Sequence, residues 1–262
     1  MSGSALIALF RAEFIKLGST RTALGLFLAA VGLSVIPAVL VLALLPLDVL
    51  EEGGAYSGAA FGLTVVPMLA LVFGILGMTN EYRHGTITYT YLDTPRRWQV
   101  IAVKLVSYAL VGAAVMLLTG VLVVLVTAIV AGIRGIPLDP GQGTSADDLI
   151  TAGNIALFIA TVGLMTAFGV GLGALLRAQV PTVAGALVWA LAIEPIITAV
   201  RPSVGRFLPF TAFQQLNFGG VSTGMEGVDV GLTRPEAFLV SLAYIALVSV
   251  AAVYISMRRD VT

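Results

Sequence analysis

Long runs of apolar residues, each ended by polar or turn-forming residues, dominate the sequence. Leu, Val, Ala, Ile and Gly fill these runs, and ~20 such residues at a rise of ~1.5 Å each cross the ~30 Å hydrocarbon layer of a bilayer. The pattern predicts six transmembrane helices, at roughly 23–46, 60–79, 99–132, 153–176, 182–200 and 236–257. We therefore expect an all-α integral membrane protein in which residues 1–262 form a single transmembrane domain.

The segment before the first run mixes apolar residues with charges. At 100° per residue its apolar side chains fall within one arc of about 100°, and Ser4 can cap the helix. These side chains are Leu6, Ile7, Phe10, Phe14 and Leu17. The pattern predicts a helix over 4–20 that lies in the membrane interface, with a plain cytosolic extension as the alternative.

Composition and charge agree with a membrane protein and orient it. Hydrophobic residues make up 58% of the chain and charged residues 11%. Ten of the 14 lysines and arginines fall on one side if both termini, the 80–104 loop and the 177–181 turn share it, which predicts cytoplasmic termini. The net charge of zero gives no reason to expect nucleic acid as a partner. The absence of cysteine excludes thiolate sites, and a single histidine leaves few options for a metal.

The third apolar run begins with a signal for a helix start. Thr94 supplies a hydroxyl cap and Pro95 fits the first helical position, so this helix is predicted from Pro95 to about Ile133. At ~1.5 Å per residue it is well over ~50 Å long, so its first turns extend beyond the hydrocarbon. On them Arg97, Ile101 and Lys104 share one face. Judged by charge alone, this loop is an anchor for anionic lipid headgroups.

The residues before that cap favour another interpretation, a docking element for a soluble partner. Threonine alternates with isoleucine and tyrosine from 86 to 91, and Glu81, Arg83 and His84 alternate charge just before Gly85. Gly85 fits a bend with positive φ. Arginine and tyrosine are enriched where protein interfaces bury area.

Glu194 is the ionisable residue deepest within a predicted span, at a depth where a charge costs several kcal/mol unless it is paired. Pro195 predicts a kink or an end of this helix, and Arg201 follows seven residues after Glu194. Glu194 is either a gate or substrate contact, or a carboxylate satisfied by Arg201 or by free backbone N–H groups. The second interpretation is favoured.

Two further features concern packing and the external side. The connection 201–235 contains prolines, glycines and an aromatic stretch, which predicts a re-entrant or interfacial segment before the last helix. Pairs of glycines four residues apart, Gly169 with Gly173 and Gly58 with Gly62, permit close helix approach. The helices brought together in this way belong either to two protomers or to one.

The order of these features resembles the permease subunits of ATP-binding-cassette type-2 (ABC-2) transporters. The motifs, each loose by itself, are E-F-x-K-L-x-S-T-R at 13–21, N-E-Y-R-H-G-T at 80–86, T-P-R-R at 94–97 followed by Lys104, and W-A-L-A-I-E-P at 189–195. The resemblance covers essentially the whole chain. It implies an N-terminal elbow helix, a coupling helix that docks on a separate ATPase subunit, and a re-entrant element that helps to close the external side.

Carried onto this sequence, the resemblance assigns roles to particular residues. The coupling loop spans 80–98, and the re-entrant element lies around 203–218. The coupling residues are Glu81, Tyr82, Arg83, His84, Gly85, Thr86, Thr94, Pro95, Arg96 and Arg97; those of the elbow are Arg11, Glu13, Lys16 and Arg21; the gate or transport candidates are Glu194, Pro195 and Arg201.

The ATPase has to be another chain, because no G-x-x-x-x-G-K-[ST] loop occurs here to hold a triphosphate. We expect no cofactor and no catalytic residue in this chain, with ATP and Mg²⁺ on the partner ATPase. The resemblance implies a homo- or heterodimer of permeases in the bacterial cytoplasmic membrane that exports an amphiphile (a drug, lipid or peptide) by alternating access.

Two other classes of protein fit less well. A secondary transporter or channel would place several polar side chains along its spans, where Glu194 stands alone. A membrane-embedded hydrolase would need a nucleophile with a base, and the one histidine, His84, is in the loop.

Overall fold

The computed structural model describes residues 3–19, 21–47, 59, 62–93, 97–136, 152–218 and 231–258, and its regular elements are all helices. The helices are α1 (Gly3–Ser19), α2 (Arg21–Leu44), α3 (Val66–Arg83), α4 (Thr86–Asp93), α5 (Arg97–Arg134), α6 (Ala152–Leu176), α7 (Gln179–Val188), α8 (Glu194–Val200), α9 (Pro202–Gly205), α10 (Pro209–Phe218) and α11 (Arg234–Arg258). A π-helical segment, Trp189–Ile193, joins α7 to α8. The all-helical prediction is confirmed.

Within the described ranges, five helical stretches are long and apolar enough to cross a membrane. They are Leu24–Leu44, Arg97–Arg134, Gly153–Leu176, Gln179–Val200 and Arg234–Ser256. They correspond to every predicted span except 60–79. That span falls on α3, whose last turn carries Glu81 and Arg83.

Helices α3 and α6 form the tightest contact at the centre of the bundle. A Cβ atom on Gly74 of α3 would lie 2.0 Å from the carbonyl oxygen of Thr166, and one on Gly169 of α6 would lie 2.3 Å from that of Leu71. Only hydrogen fits at either position, so the two backbones approach closely. A buried cluster that includes Leu71, Ile75, Met165 and Phe168 surrounds this contact.

Three glycines of the two predicted pairs, Gly62, Gly169 and Gly173, pack against helices of the same chain. A Cβ atom on Gly173 would lie 2.8 Å from the carbonyl oxygen of Ile75 in α3, and one on Gly62 would lie 2.1 Å from that of Ser34 in α2. Gly58 lies outside the described residues.

Helix α5 forms hydrogen bonds with a different helix at each of its ends. It has 38 residues, which at ~1.5 Å per residue makes it about 57 Å long. At one end Arg97 donates a hydrogen bond to the carbonyl oxygen of Ser256 in the last turns of α11. At the other end Arg134 donates to the carbonyl oxygens of Leu42 and, at 3.2 Å, Leu45 at the end of α2. Each arginine thus meets carbonyl groups that helix ends leave unpaired and places its charge against the negative end of the dipole.

Part of the segment between α8 and α11 is helical and well packed. Phe210, Phe213 and Leu216 of α10 are 3%, 1% and 1% exposed, and they lie against α6 and α11. The ring of Phe168 in α6 is 5.6 Å from that of Phe213 and 6.0 Å from that of Phe210. The predicted re-entrant range 203–218 thus contains a buried helix.

We expect Gly74→Ala to destabilise the protein by roughly 1–3 kcal/mol, because the new methyl group meets backbone atoms of α6 that move only with the helix. The matched control is Gly132→Ala on α5, where a Cβ atom meets nothing within 4 Å. There alanine should be neutral or stabilising, because it favours helix. Thermal unfolding midpoints of the purified variants in detergent measure both effects, and equal midpoints would contradict the close packing of α3 and α6.

Candidate functional site

Four charged side chains meet where α1, α3 and α5 come together. The ammonium group of Lys104 lies 2.7 Å from Glu13 Oε2 and 3.0 Å from Glu81 Oε1. The ammonium group of Lys16 lies 3.1 Å from Glu13 Oε1 and 3.0 Å from Glu81 Oε1. We call these four residues the ionic quartet. It ties the N-terminal helix to two helices of the bundle.

The quartet is buried, with one exception. Lys104 is 1% exposed, Glu13 3% and Glu81 8%, whereas the side chain of Lys16 is 45% exposed. Removing three charges from water costs several kcal/mol for each ion, and only close pairing offsets this cost. Water cannot solvate the ammonium group of Lys104, so its burial depends on both carboxylates.

The charges also shift the acidity of the two residues on α1. Burial by itself would raise the pKa of the Glu13 carboxyl, but Lys104 and Lys16 together hold that pKa below its ordinary value of 4.5. Burial would likewise lower the pKa of Lys16, but Glu81 and Glu13 raise it above its ordinary value of 10.5. Both groups are therefore charged at neutral pH.

This cluster corrects the exposed stripe predicted at the start of the third helix. Ile101 and Lys104 are each 1% exposed, so they cannot form a surface for lipid headgroups. Glu81, predicted to contact the ATPase, lies beneath the surface in the quartet. A signal was present in the sequence: a lone lysine within Q-V-I-A-V-K-L-V-S demands carboxylates nearby.

The predicted docking element is a short helix next to the quartet. Gly85 has a φ of +69°, which confirms the predicted bend, and α4 begins at the next residue. Ile87 and Tyr91, one turn apart, are 1% and 8% exposed, whereas Tyr89 and Leu92 are 72% and 74% exposed. The alternation of threonine with larger residues thus becomes an amphipathic helix with one packed and one open face.

The remaining coupling candidates divide between surface and internal contacts. His84, Gly85 and Thr86 are exposed. Arg83 donates a hydrogen bond of 3.0 Å to Gln179 Oε1 at the start of α7, and the hydroxyl groups of Tyr82 and Tyr91 lie 3.4 Å apart.

Two arginines stack on tyrosines at the end of α3 and in α4. The guanidinium of Arg97 lies 5.3 Å from the ring centre of Tyr91, and that of Arg177 lies 5.3 Å from the ring centre of Tyr82. Arg97 is thus held within the protein by Tyr91 and by the carbonyl of Ser256. Thr94, Pro95 and Arg96 lie outside the described residues, as does the side chain of Arg21, while Arg11 is exposed on α1.

Glu194 caps the N-terminus of α10. It is 2% exposed, and it accepts a 2.9 Å hydrogen bond from Trp189 Nε1 and another from the backbone N–H of Thr211, the third residue of α10. A carboxylate at this position complements the positive end of the helix dipole. Of the two kinds of partner expected for it, the structure supplies a backbone N–H group, whereas Arg201 is exposed and no ion pair between the two is found within the described ranges.

Pro195 follows a change in helix type, as its chemistry predicts. Because proline has no N–H and crowds the carbonyl one turn earlier, regular α-helix is disturbed before it. The chain forms the π-helical segment Trp189–Ile193 and then resumes α-helix to Val200. The π segment includes Trp189, whose indole N–H reaches Glu194.

We expect Lys104→Met to release α1 from the bundle, because it leaves two buried carboxylates with only the half-exposed Lys16 as a partner and costs about 3–5 kcal/mol. The matched control is Lys16→Met, which removes a half-exposed ammonium from the same two carboxylates and should cost at most about 1 kcal/mol. Leu17→Cys, at a position 7% exposed in a chain without cysteine, reports release through its rate of thiol labelling. Equal labelling in both backgrounds would show that Lys104 does not hold α1.

The shifted pKa values define the pH range over which Glu13 and Lys16 stabilise the protein. The contribution of Glu13 is complete above 4.5 and is lost as the pH falls through its lowered pKa; that of Lys16 is complete below 10.5 and is lost as the pH rises through its raised pKa. We therefore expect the difference in thermal midpoint between wild type and Glu13→Gln to stay constant between pH 4.5 and pH 10.5. Below pH 4.5 the difference should shrink as Glu13 becomes protonated. A difference that varies around neutral pH would contradict this assignment.

At Glu194 the capping geometry predicts a graded series. Glu194→Gln keeps an oxygen that accepts from Thr211, so α10 should remain ordered, whereas Glu194→Leu leaves its N-terminus unpaired at a cost of about 1–3 kcal/mol. Hydrogen exchange at the backbone N–H of Thr211 should be at least tenfold faster in the leucine variant than in the glutamine variant. Unchanged exchange in Glu194→Leu would refute the capping role.

Comparison with known proteins agrees with the architecture. The family model described as ABC-2 family transporter protein matches residues 15–261, which include Lys16 on α1 and every helix from α2 to α11. A comparison with curated proteins finds no match. The chain belongs to the ABC-2 transporter family and is a membrane permease of an ABC transporter.

Proposed function

We propose that this chain is the transmembrane subunit of an ABC exporter in the bacterial cytoplasmic membrane, driven by separate ATPase subunits. Membership of the ABC-2 family and the apolar helices support the transport role. Two permeases, identical or different, would assemble over two ATPases, and ATP with Mg²⁺ would bind only there. Both termini would lie in the cytoplasm, as the distribution of basic residues favours.

The observation that carries the proposal is the geometry of α4. Its outer face exposes Tyr89 and Leu92, while its inner face buries Ile87 and Tyr91 in a cluster shared with α1, α3, α5, α6 and α11. An exposed tyrosine and leucine on a helix at the end of a membrane bundle suit a protein contact. A partner that moved α4 would thus move the bundle.

In this proposal α3 is the second of six spans and α1 is the elbow helix. Helix α3 lies at the centre of the bundle, where its close contact with α6 favours a membrane-spanning position. On α1 the buried face carries Glu13 and Leu17, whereas Ile7, Phe14 and Ile15 are 69%, 42% and 62% exposed. That exposed apolar face suits the bilayer interface.

The mechanism we propose is alternating access. ATP binding would close the partner ATPases and displace α4, and the ionic quartet together with Arg97 would pass this movement to α1, α3, α5 and α11. Among the described spans, the side chains exposed on the protein surface are mainly apolar. An amphiphile such as a drug, lipid or peptide is therefore a more suitable cargo than a sugar or an ion.

The test uses the double variant Tyr89→Ala/Leu92→Ala in the full complex. Charge reversal at Arg97 is less informative, because it would also break the contact with Ser256. The matched control is Leu247→Ala/Tyr254→Ala, which removes the same two side-chain types at positions 66% and 53% exposed on α11.

We expect wild type and control to copurify with a chain that carries a phosphate-binding loop and hydrolyses ATP, and we expect recovery of that chain to fall at least tenfold in the α4 variant. Cargo export from membrane vesicles should fall in parallel while insertion is unchanged. Full recovery and full export in the α4 variant would refute docking through α4. Isolation of the intact complex without any nucleotide-binding chain would refute the proposed function as a whole.

A further inference from the structure

A groove with a volume of about 370 Å³ opens between α1, α3 and α5 beside the ionic quartet. Leu17, Phe73 and Leu76 form an apolar wall, and Asn80 and Glu81 form a polar end. Its volume lies within the range of ~300–1,000 Å³ found for pockets that bind small organic molecules. The lining of the groove is apolar along one part and polar at the other, which matches the two parts of an amphiphile.

Glu81, which lines the polar end, carries a carboxylate oxygen without a hydrogen-bond donor among the described residues. Its Oε1 atom receives both lysines of the quartet, each at 3.0 Å. Its Oε2 atom is buried and has no hydrogen-bond partner in the part of the chain that the structure describes. A buried carboxylate oxygen without a donor costs free energy, and a ligand that brings a donor into the groove recovers it.

The chemistry of that donor follows from the charges around it. The quartet contains two carboxylates and two ammonium groups, so its charges already cancel, and an anionic ligand would meet the free oxygen of Glu81. Lys16 also lines the groove, but its ammonium is directed to Glu13 and to Oε1 of Glu81. A protonated amine forms a charge-assisted hydrogen bond with a carboxylate, the stronger kind.

We propose that the groove binds an amphiphile with a protonated amine, its ammonium on Glu81 Oε2 and its apolar body against Leu17, Phe73 and Leu76. Phe14, an exposed apolar residue three positions before Leu17 on α1, would be within reach of a ligand that enters from the membrane. Binding does not depend on ATP or on a partner chain. A role of the bound amine as exported cargo would rest, in addition, on the proposed function.

The test measures binding to the purified permease in phosphatidylcholine nanodiscs, without ATPase. The probe is dansylcadaverine, which joins a fluorescent apolar ring to a primary amine, and its N-acetylated form is the matched neutral probe. Fluorescence in empty nanodiscs is subtracted. We expect saturable binding of the amine at least tenfold tighter than that of the acetylated probe.

Two variants locate the site. Glu81→Gln should weaken binding of the amine at least tenfold. Leu76→Trp leaves the quartet intact and fills the apolar part of the groove, so it should abolish binding even if Glu81→Gln does not fold. Its control, Leu110→Trp, places the same side chain at a position 55% exposed on α5 and should bind as wild type does. Equal affinity for both probes, or full affinity in Leu76→Trp, overturns the proposal.

A lipid arm identifies the source of the amine. If phosphatidylethanolamine in the nanodiscs lowers the affinity for the probe, the lipid headgroup occupies the groove; if it has no effect, a free amphiphilic amine is the ligand. Both results presuppose the site. Amine binding by a permease that assembles with no ATPase would leave this site standing and remove only the proposed export function.

Discussion

The burial of Lys104 is the constraint on which the end of the bundle around α1, α4 and the start of α5 depends. A fully enclosed ammonium group is tolerable only between carboxylates, and the two that it meets come from α1 and α3. Because α4 follows α3 after a short turn and lies beside the start of α5, the same pairing also sets where α4 stands. One buried charge thus fixes the relative positions of the N-terminal helix, two bundle helices and the face that we propose for docking.

The other charged side chains in the spans follow the same logic at helix ends. Arg97 and Arg134 bind carbonyl groups at the ends of α11 and α2, and Glu194 accepts a backbone N–H at the start of α10. In a medium of low dielectric constant such contacts are strong, and leaving either partner alone is costly. The two arginine contacts join helices that are 159 and 92 positions apart in the chain, and the Glu194 contact joins helices that are 17 positions apart. Movement of one helix is therefore passed to another through defined groups.

The bundle combines a tightly packed centre with a more polar end. Glycines bring α3 and α6 together without room for a methyl group, so relative movement of these two helices would break backbone contacts. The quartet, the tyrosines of α4 and the groove beside Glu81 all lie around the cytoplasmic ends that we propose. A ligand in that groove would touch α1, α3 and α5 together, the helices that the quartet joins.

The sequence by itself determined the helical class, the approximate ranges of the apolar helices, the bend at Gly85 and the family resemblance, because each depends on local composition or short motifs. Only the tertiary structure decided that Lys104 is buried, that Glu194 caps α10 and that Gly169 packs on α3. The partners in these contacts are not sequence neighbours: Lys104 and Glu13 are 91 positions apart, and Glu194 and Thr211 are 17 positions apart. In a membrane protein, moreover, lipid-facing and core-facing side chains are both apolar, so hydrophobic periodicity does not reveal which face of a helix is packed.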